Sequence, residues 1–212
     1  MSGNDDGDAE RTESDDGERS IELTLSEAEY DRLEALEADD EEIRDRLEEA
    51  VRAELRIQEC IDTIEARREG TAEEPLGLPD PGPLDSPVGA LLGLEVEAIG
   101  DGEATLSMEA TGRHANRGGP VQGGVVTALA DTTTAFAFMT TLDPGASTTN
   151  IELKINFLRP VFEDRLEATA TVVKRGRTIG LVECDVRTSE GKLVARMSTT
   201  YMVLRGDRAD GR

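Results

Sequence analysis

The 212-residue sequence predicts an α+β fold in which an antiparallel sheet wraps around one long central helix, with a helical extension at the N-terminus. Three observations predict it. Residues 94–98 and 104–110 alternate apolar and polar positions across the turn signal Gly100-Asp101-Gly102, the pattern of a hairpin. Residues 121–142 then form an apolar, proline-free run after the breakers Gly118, Gly119 and Pro120, so a helix starts near Gln122. Four strand-like runs follow, at 148–158, 165–173, 180–188 and 193–203, joined by short polar turns as in an antiparallel meander.

Charge is spread unevenly along the chain. The formal charge is −23, from 46 acidic and 23 basic residues, and nucleic acid is therefore an unfavourable partner. The first 75 residues hold 28 of the acidic and 9 of the basic residues, so most of the excess is N-terminal. The cations are also skewed: only Lys154, Lys174 and Lys192 are lysines, against 20 arginines. Acidity with so little lysine points to a halophilic protein whose carboxylates stay hydrated at high salt, although an acidic tail alone accounts for most of the charge.

Residues 1–18 are Asp, Glu, Gly and Ser with almost nothing to bury, and read as a disordered acidic tail. Residues 19–69 read as a strand-helix-helix accessory segment. Ile21, Leu23 and Leu25 alternate with polar neighbours, Ser26 and Glu29 form a capping box, and Ile43, Leu47, Ala50, Ile57, Ile61 and Ile64 follow three-four spacing. This segment vaguely resembles a ribbon-helix-helix module, but it is acidic where DNA would lie, and a packing or pairing segment is the expectation. Residues 70–84 are a Pro/Gly-rich linker, residues 85–204 the main domain, and residues 205–212 a C-terminal tail. No apolar stretch is long enough to cross a bilayer and no signal-peptide pattern opens the chain, so a cytoplasmic protein is expected. Cys60 and Cys184 have no His or Cys neighbours and read as buried thiols; no metal site is expected.

The chemistry concentrates at residues 114–131, HANRGGPVQGGVVTALAD. The first N–H groups of a helix lack internal acceptors, and at Gly123 and Gly124 no side chain keeps a ligand oxygen away from them. Asp131 sits inside the apolar helix, where an ionised carboxylate is costly unless paired or used. The spacing of Asn116, Gly119, Gln122-Gly123-Gly124 and Asp131 resembles the central motif of hotdog-fold acyl-CoA thioesterases of the phenylacetic-acid-pathway (PaaI) type, and the resemblance covers residues 85–204. It implies a hotdog fold and hydrolysis of acyl-CoA thioesters, with Gly123 or Gly124 N–H holding the thioester oxygen and Asp131 as base or nucleophile. Asn116 would orient substrate or water, and Thr149 or Asn150 would stand where the family often has another polar site residue. A His usually precedes the glycine pair. Here it is Gln122, which hydrogen-bonds but carries no proton at neutral pH.

Gly123 and Asp131 are eight residues apart, about 12 Å along one helix at 1.5 Å per residue. A base acts within about 3 Å of its target or through one water. If both groups serve one thioester, the Asp comes from a second subunit, so a homodimer or a homotetramer is expected. The substrate carries its own coenzyme A, and no other cofactor is expected. Its phosphates call for cations, for which Arg117, Arg159, Arg175 and Arg177, with Lys174, are the candidates. Phe136, Phe138 and Met139 either shape the acyl pocket or pack the core. His114, the one histidine, has no nucleophile beside it and no G-x-S-x-G elbow accompanies it, so it reads as a positioning residue of the substrate loop. The alternative function is a non-catalytic acyl-CoA sensor whose N-terminal module binds DNA or protein.

Overall fold

The computed structural model describes residues 11–13, 19–21, 24–35, 40–71 and 77–206. The chain divides between Arg52 and Ala53 into two compact units. In the first, Arg11–Glu13 (β1) pairs antiparallel with Arg19–Ile21 (β2), so part of the expected disordered tail is a short strand. The rest of that tail, Leu23, residues 72–76 of the linker and residues 207–212 lie outside the described residues. Glu27–Glu34 (α1) starts at the expected cap, where the Ser26 N–H and hydroxyl both donate to Glu29 Oε2, at 2.9 and 2.6 Å. Asp40–Glu69 (α2) follows and ends with Arg67 and Arg68, cations suited to the negative end of a helix.

The larger unit starts within α2, earlier than residue 85. Cys60 is buried and its thiol donates to Asp85 Oδ1 at 3.1 Å, Gly82–Pro83 (β3) already joins the sheet, and Leu84 is buried. Burial is the main cause that raises both thiols, Cys60 to about 11 and Cys184 to about 12, so neither is a nucleophile at neutral pH. Pro87–Leu92 (α3) is a short helix, opened by the Ser86 hydroxyl accepting from Gly89 N–H and closed by Gly93 in the left-handed region. Leu94–Gly100 (β4) and Glu103–Ala110 (β5) form the expected hairpin, with Asp101 (φ 50°) and Gly102 (φ 82°) supplying the two positive φ angles of a tight turn.

The central helix, Gly123–Met139 (α4), is followed by Ser147–Phe157 (β6), Asp164–Arg175 (β7), Ile179–Thr188 (β8) and Leu193–Leu204 (β9). The seven-stranded antiparallel sheet has the order β3-β4-β5-β7-β8-β9-β6. The meander expectation therefore needs one correction. β7, β8 and β9 are consecutive neighbours, but β6 lies at the far edge beside β9, and β5 takes the place next to β7. A helix of 17 residues is about 25 Å long. With strands about 4.8 Å apart, that length carries the chain past β7, β8 and β9 to the opposite edge.

The core lies between α4 and the sheet. Leu129, Ala130, Ala137 and Phe138 of the helix are fully covered, as are Leu106, Leu166, Ala168, Val182, Val186 and Met197 of the strands. The alanines on both sides let helix and sheet approach closely. Phe138 stacks on Tyr201, with ring centroids 5.0 Å apart, and is therefore core and not acyl pocket. A side chain on Gly180 would overlap the Phe138 ring. Gly180→Ala is expected to cost about 1–3 kcal/mol, as overpacking does in a filled core, and to lower the urea midpoint of unfolding.

No helix among the described residues is long and apolar enough to cross a membrane. The outer edge of β6 has no partner strand among the described residues, and Ile151, Phe157 and Leu158 beside it are exposed.

Candidate active site

The loop before α4 is tied at both ends by its own backbone. Thr111 caps the 3-10 turn Gly112–His114, and its N–H donates to His114 Nδ1 at 3.1 Å. Nδ1 is therefore the acceptor, which places the proton of the neutral ring on Nε2. Burial, and then the Arg113 charge, hold the His114 pKa below its ordinary value, so the ring is neutral at pH 7. The His114 carbonyl accepts from Gln122 N–H at 2.8 Å, and the Asn116 N–H donates to the Pro120 carbonyl at 2.8 Å. Between them Asn116 Oδ1 accepts from Gly118 N–H (2.7 Å), and Gly119 turns the chain at φ 101°. Asn116 thus commits its carbonyl to the loop and keeps only its amide N–H groups for a ligand.

This clamp delivers Gln122 to the N-cap, where its exposed side chain makes no capping bond. Gly123 and Gly124 are the first two helical residues, and their N–H groups have no partner among the described residues. The two glycines differ in their surroundings. A Cβ on Gly124 would stand in nearly open space, whereas on Gly123 it would lie 3.1 Å from the tip of the Phe157 ring. Beside Gly123 opens a cleft of about 360 Å³. Among the side chains that line it, Phe157, Leu158, Val126 and Val161 are apolar and Arg159 alone is charged.

Two turns further along α4, the half-buried Asp131 accepts a hydrogen bond on Oδ1 from Asn150 Nδ2 of β6, at 2.9 Å. Its backbone carbonyl accepts from the Thr134 hydroxyl (2.8 Å), which also bonds the buried Tyr201 hydroxyl at 2.9 Å. The threonines near Asp131 do not cap its carboxylate. Thr134 is on the backbone carbonyl, and the Thr127 hydroxyl donates to the Gly123 carbonyl. Among the described residues, one carboxylate oxygen is thus fixed by a neutral donor and the other has no hydrogen-bond partner.

Within one chain the loop from His114 to Gln122, the glycine pair and Arg159 come together, and Asp131 joins Asn150. Thr149 is exposed next to Asn150, and Arg117 is exposed on the loop. Arg175 and Arg177 lie elsewhere. The Arg175 guanidinium is 5.5 Å from the centre of the Phe138 ring, near the other end of α4, about 22 Å along the helix from Gly123. Its Nε is buried without a hydrogen-bond partner among the described residues. The Arg177 carbonyl accepts from Arg205. Phe157 and Leu158 escaped the sequence reading, although two large apolar residues in succession at a strand end are a signal, because strand alternation lets only one of them face the core.

A central helix packed on a seven-stranded antiparallel sheet, with free N–H groups at its start, is the arrangement of the hotdog hydrolases, and comparisons with known proteins agree. Residues 118–195 match the family model of the thioesterase superfamily. A Haemophilus influenzae protein named as an esterase is 33% identical over 113 residues, 53% of this chain and 82% of that protein. The acyl-coenzyme A thioesterase PaaI of Escherichia coli is 31% identical over 105 residues, 49% of this chain and 73% of that protein. A solved structure of a mutant of the phenylacetic acid degradation protein PaaI of Thermus thermophilus is 30% identical, with a TM-score of 0.51 over 57% of this chain and 100% of that one. The chain belongs to the thioesterase superfamily and is a thioester hydrolase of the hotdog fold. Within that superfamily it is of the PaaI type.

Proposed function

We propose that the protein hydrolyses acyl-CoA thioesters to a free acid and coenzyme A, as a dimer or higher homo-oligomer with sites shared between subunits. The observation that carries this reading is the pair of unpartnered N–H groups at Gly123 and Gly124 beside an apolar cleft. The thioester oxygen binds these donors, and Gln122 and Asn116 contribute further hydrogen bonds from the loop. Asp131 of the partner subunit takes a proton from a water as that water attacks the carbonyl carbon, or its carboxylate attacks that carbon itself to give an acyl anhydride that water hydrolyses after the thiolate has left. The tetrahedral oxyanion is held by the glycine N–H groups until the thiolate leaves. The outer edge of β6, which has no partner strand among the described residues, and its exposed apolar residues Ile151 and Phe157 support association. Arg117, exposed on the loop, and Arg159, beside the cleft, meet the phosphates of the substrate from the same chain in this reading. Arg175 and Arg177 do so only from a neighbouring subunit. No cofactor beyond the coenzyme A of the substrate enters the reaction. A cytoplasm of high salt suits the acidic, lysine-poor chain.

Asn150 has two candidate roles here, and kinetics separates them. As the residue that orients Asp131, its replacement by Ala lowers kcat about tenfold or more with KM little changed, since a hydrogen bond to a charged group is worth about 1.5–3 kcal/mol. A substrate contact made equally in the ground and transition states would raise KM instead. The overall reading is tested by thiol release from a panel of aryl and alkyl acyl-CoAs in molar salt, with background from Cys60 and Cys184 subtracted. Absence of turnover on every ester, with the esters still bound, moves the acyl-CoA sensor to first place.

A further inference from the structure

We infer that His114 is a positioning residue whose neutral ring holds the loop that presents the Gly123 and Gly124 N–H groups, and that protonation of the ring releases that loop. The inference rests on the thioesterase reading above and adds to it the group that sets the acid limit of the reaction.

The chain leaves β5 at Ala110, and Thr111 opens the 3-10 turn Gly112–His114. Two groups of Thr111 converge on His114 Nδ1, the N–H at 3.1 Å and the hydroxyl at 3.4 Å. The Thr111 hydroxyl oxygen in turn accepts from Arg113 N–H at 3.4 Å. A capping box is usually closed by Glu or Gln. Here a histidine closes it, and a ring nitrogen accepts a hydrogen bond only while it carries no proton. His114 is also the base of the loop. Its carbonyl accepts from Gln122 N–H at 2.8 Å, Ala115 bridges to Val121, and the glycine pair follows Gln122 directly. One short run of contacts therefore leads from the end of β5, through His114, to the start of α4.

Protonation turns Nδ1 from an acceptor into a donor. Two N–H groups then face each other at 3.1 Å, the turn loses its closing bond, and the Gln122 end of the loop is no longer fixed from the β5 side. Donors stabilise an oxyanion by being held in place beforehand, so the loss falls on kcat more than on KM. The charged groups around the turn do not oppose this. Arg113 lies on the turn and Arg117 on the loop. Glu163, just before β7, has Oε1 3.9 Å from the position of a Gly112 Cβ, and Asp164, opposite Ala110, accepts from Ser189 N–H at 3.1 Å. No carboxylate among the described residues pairs with the ring, and burial and then Arg113 favour its neutral form, so the bond lasts to a pH below the ordinary histidine value of about 6.5. Its contribution to stability is complete above that value and is lost as pH falls through the lowered one.

The test uses the full chain in molar salt with His114→Phe and His114→Asn, checked for unchanged oligomeric state. Phe keeps a ring and offers no acceptor, whereas Asn puts an amide oxygen where Nδ1 stands and does not titrate. Because the chain has one histidine, NMR of the ring nitrogens reports its tautomer and midpoint directly. Expected in the wild type are the Nε2–H tautomer, a midpoint below about 6.5, an acid limb in kcat at that midpoint, and lower exchange protection of the Thr111 and Gln122 amides below it. On the alkaline side of the midpoint, His114→Phe is expected to lower kcat about tenfold or more with KM within about twofold. His114→Asn is expected to recover most of that loss and to show no limb at the wild-type midpoint. A limb unchanged in the Asn variant, an Nδ1–H tautomer in the neutral wild type, or a Phe variant with wild-type kcat would each overturn the inference. Where His114→Phe fails to fold, the Asn variant and the wild-type titration decide. Failure of the thioesterase reading shows differently, as wild-type protein that releases no thiol from any ester. The ring titration and the exchange of the Thr111 and Gln122 amides still test the clamp in that case.

Discussion

Asp131→Ala is expected to lower kcat by about 10²- to 10⁴-fold, the range over which a positioned acid or base contributes, while the protein folds and associates as before. The fold is expected to tolerate the change because the Asp131 carboxylate is half-exposed and its single side-chain bond is to Asn150 on the edge strand. The contacts that fix this part of α4, from Thr134 and Tyr201, are made to the Asp131 backbone carbonyl and do not depend on the side chain. Unfolding midpoints and column elution check the fold, and single-turnover thiol release reads the chemistry. A variant with near-normal kcat would leave Asp131 a structural carboxylate.

Gly123→Pro is expected to remove one of the proposed oxyanion donors with little change of helix. Gly123 is the first helical residue, where proline is well accommodated, since an N–H there has no intrahelical partner to lose. Gln122 before it already has ψ 129°, the extended conformation that a residue preceding proline adopts. The remaining obstacle is the Phe157 ring tip, which belongs to an exposed side chain and can turn aside. Loss of a single donor from an oxyanion site costs about 10²- to 10³-fold in kcat, and this is the effect expected here. Gly124→Ala keeps its N–H, and the added Cβ comes no closer than 4.0 Å to Gln122 Cγ, so the fold is expected to be unchanged and any loss of kcat reads the crowding of the second donor.

Local pattern made most of the fold legible. The turn at Asp101 and Gly102, the helix start after Gln122 and the four later strands all lie within a few residues of where alternation and breakers put them. Pairing between distant strands leaves no such trace. The residues of β6 alternate in the same way whether they lie beside β7 or beside β9, and only the length of α4 tells that the chain has crossed to the other edge. The start of the larger unit was hidden for a related reason, because the burial of Cys60 and Leu84 depends on contacts that a proline-rich stretch does not announce.

The site was legible where its chemistry belongs to backbone. Free N–H groups at a glycine pair follow from the helix start alone. Side-chain partners were less so: the sequence placed Asn150 near the site, but the bond to Asp131 depends on the register of β6 against the helix. The cations divided by position. Arg117 lies within the motif and Arg159, distant in sequence, lines the cleft beside Gly123, whereas Arg175 lies by Phe138, at the far end of α4.

In the proposed shared site, one subunit supplies the glycine N–H groups and its partner the carboxylate. Mixing Asp131→Ala and Gly123→Pro protomers, with subunit exchange confirmed, tests it most directly. Random association makes half of the dimers mixed, and each of these carries one intact site out of two, so about a quarter of wild-type activity is expected to return from two nearly inactive parents. A mixed sample no more active than its parents would mean that both groups act within a single chain, contradicting the shared site.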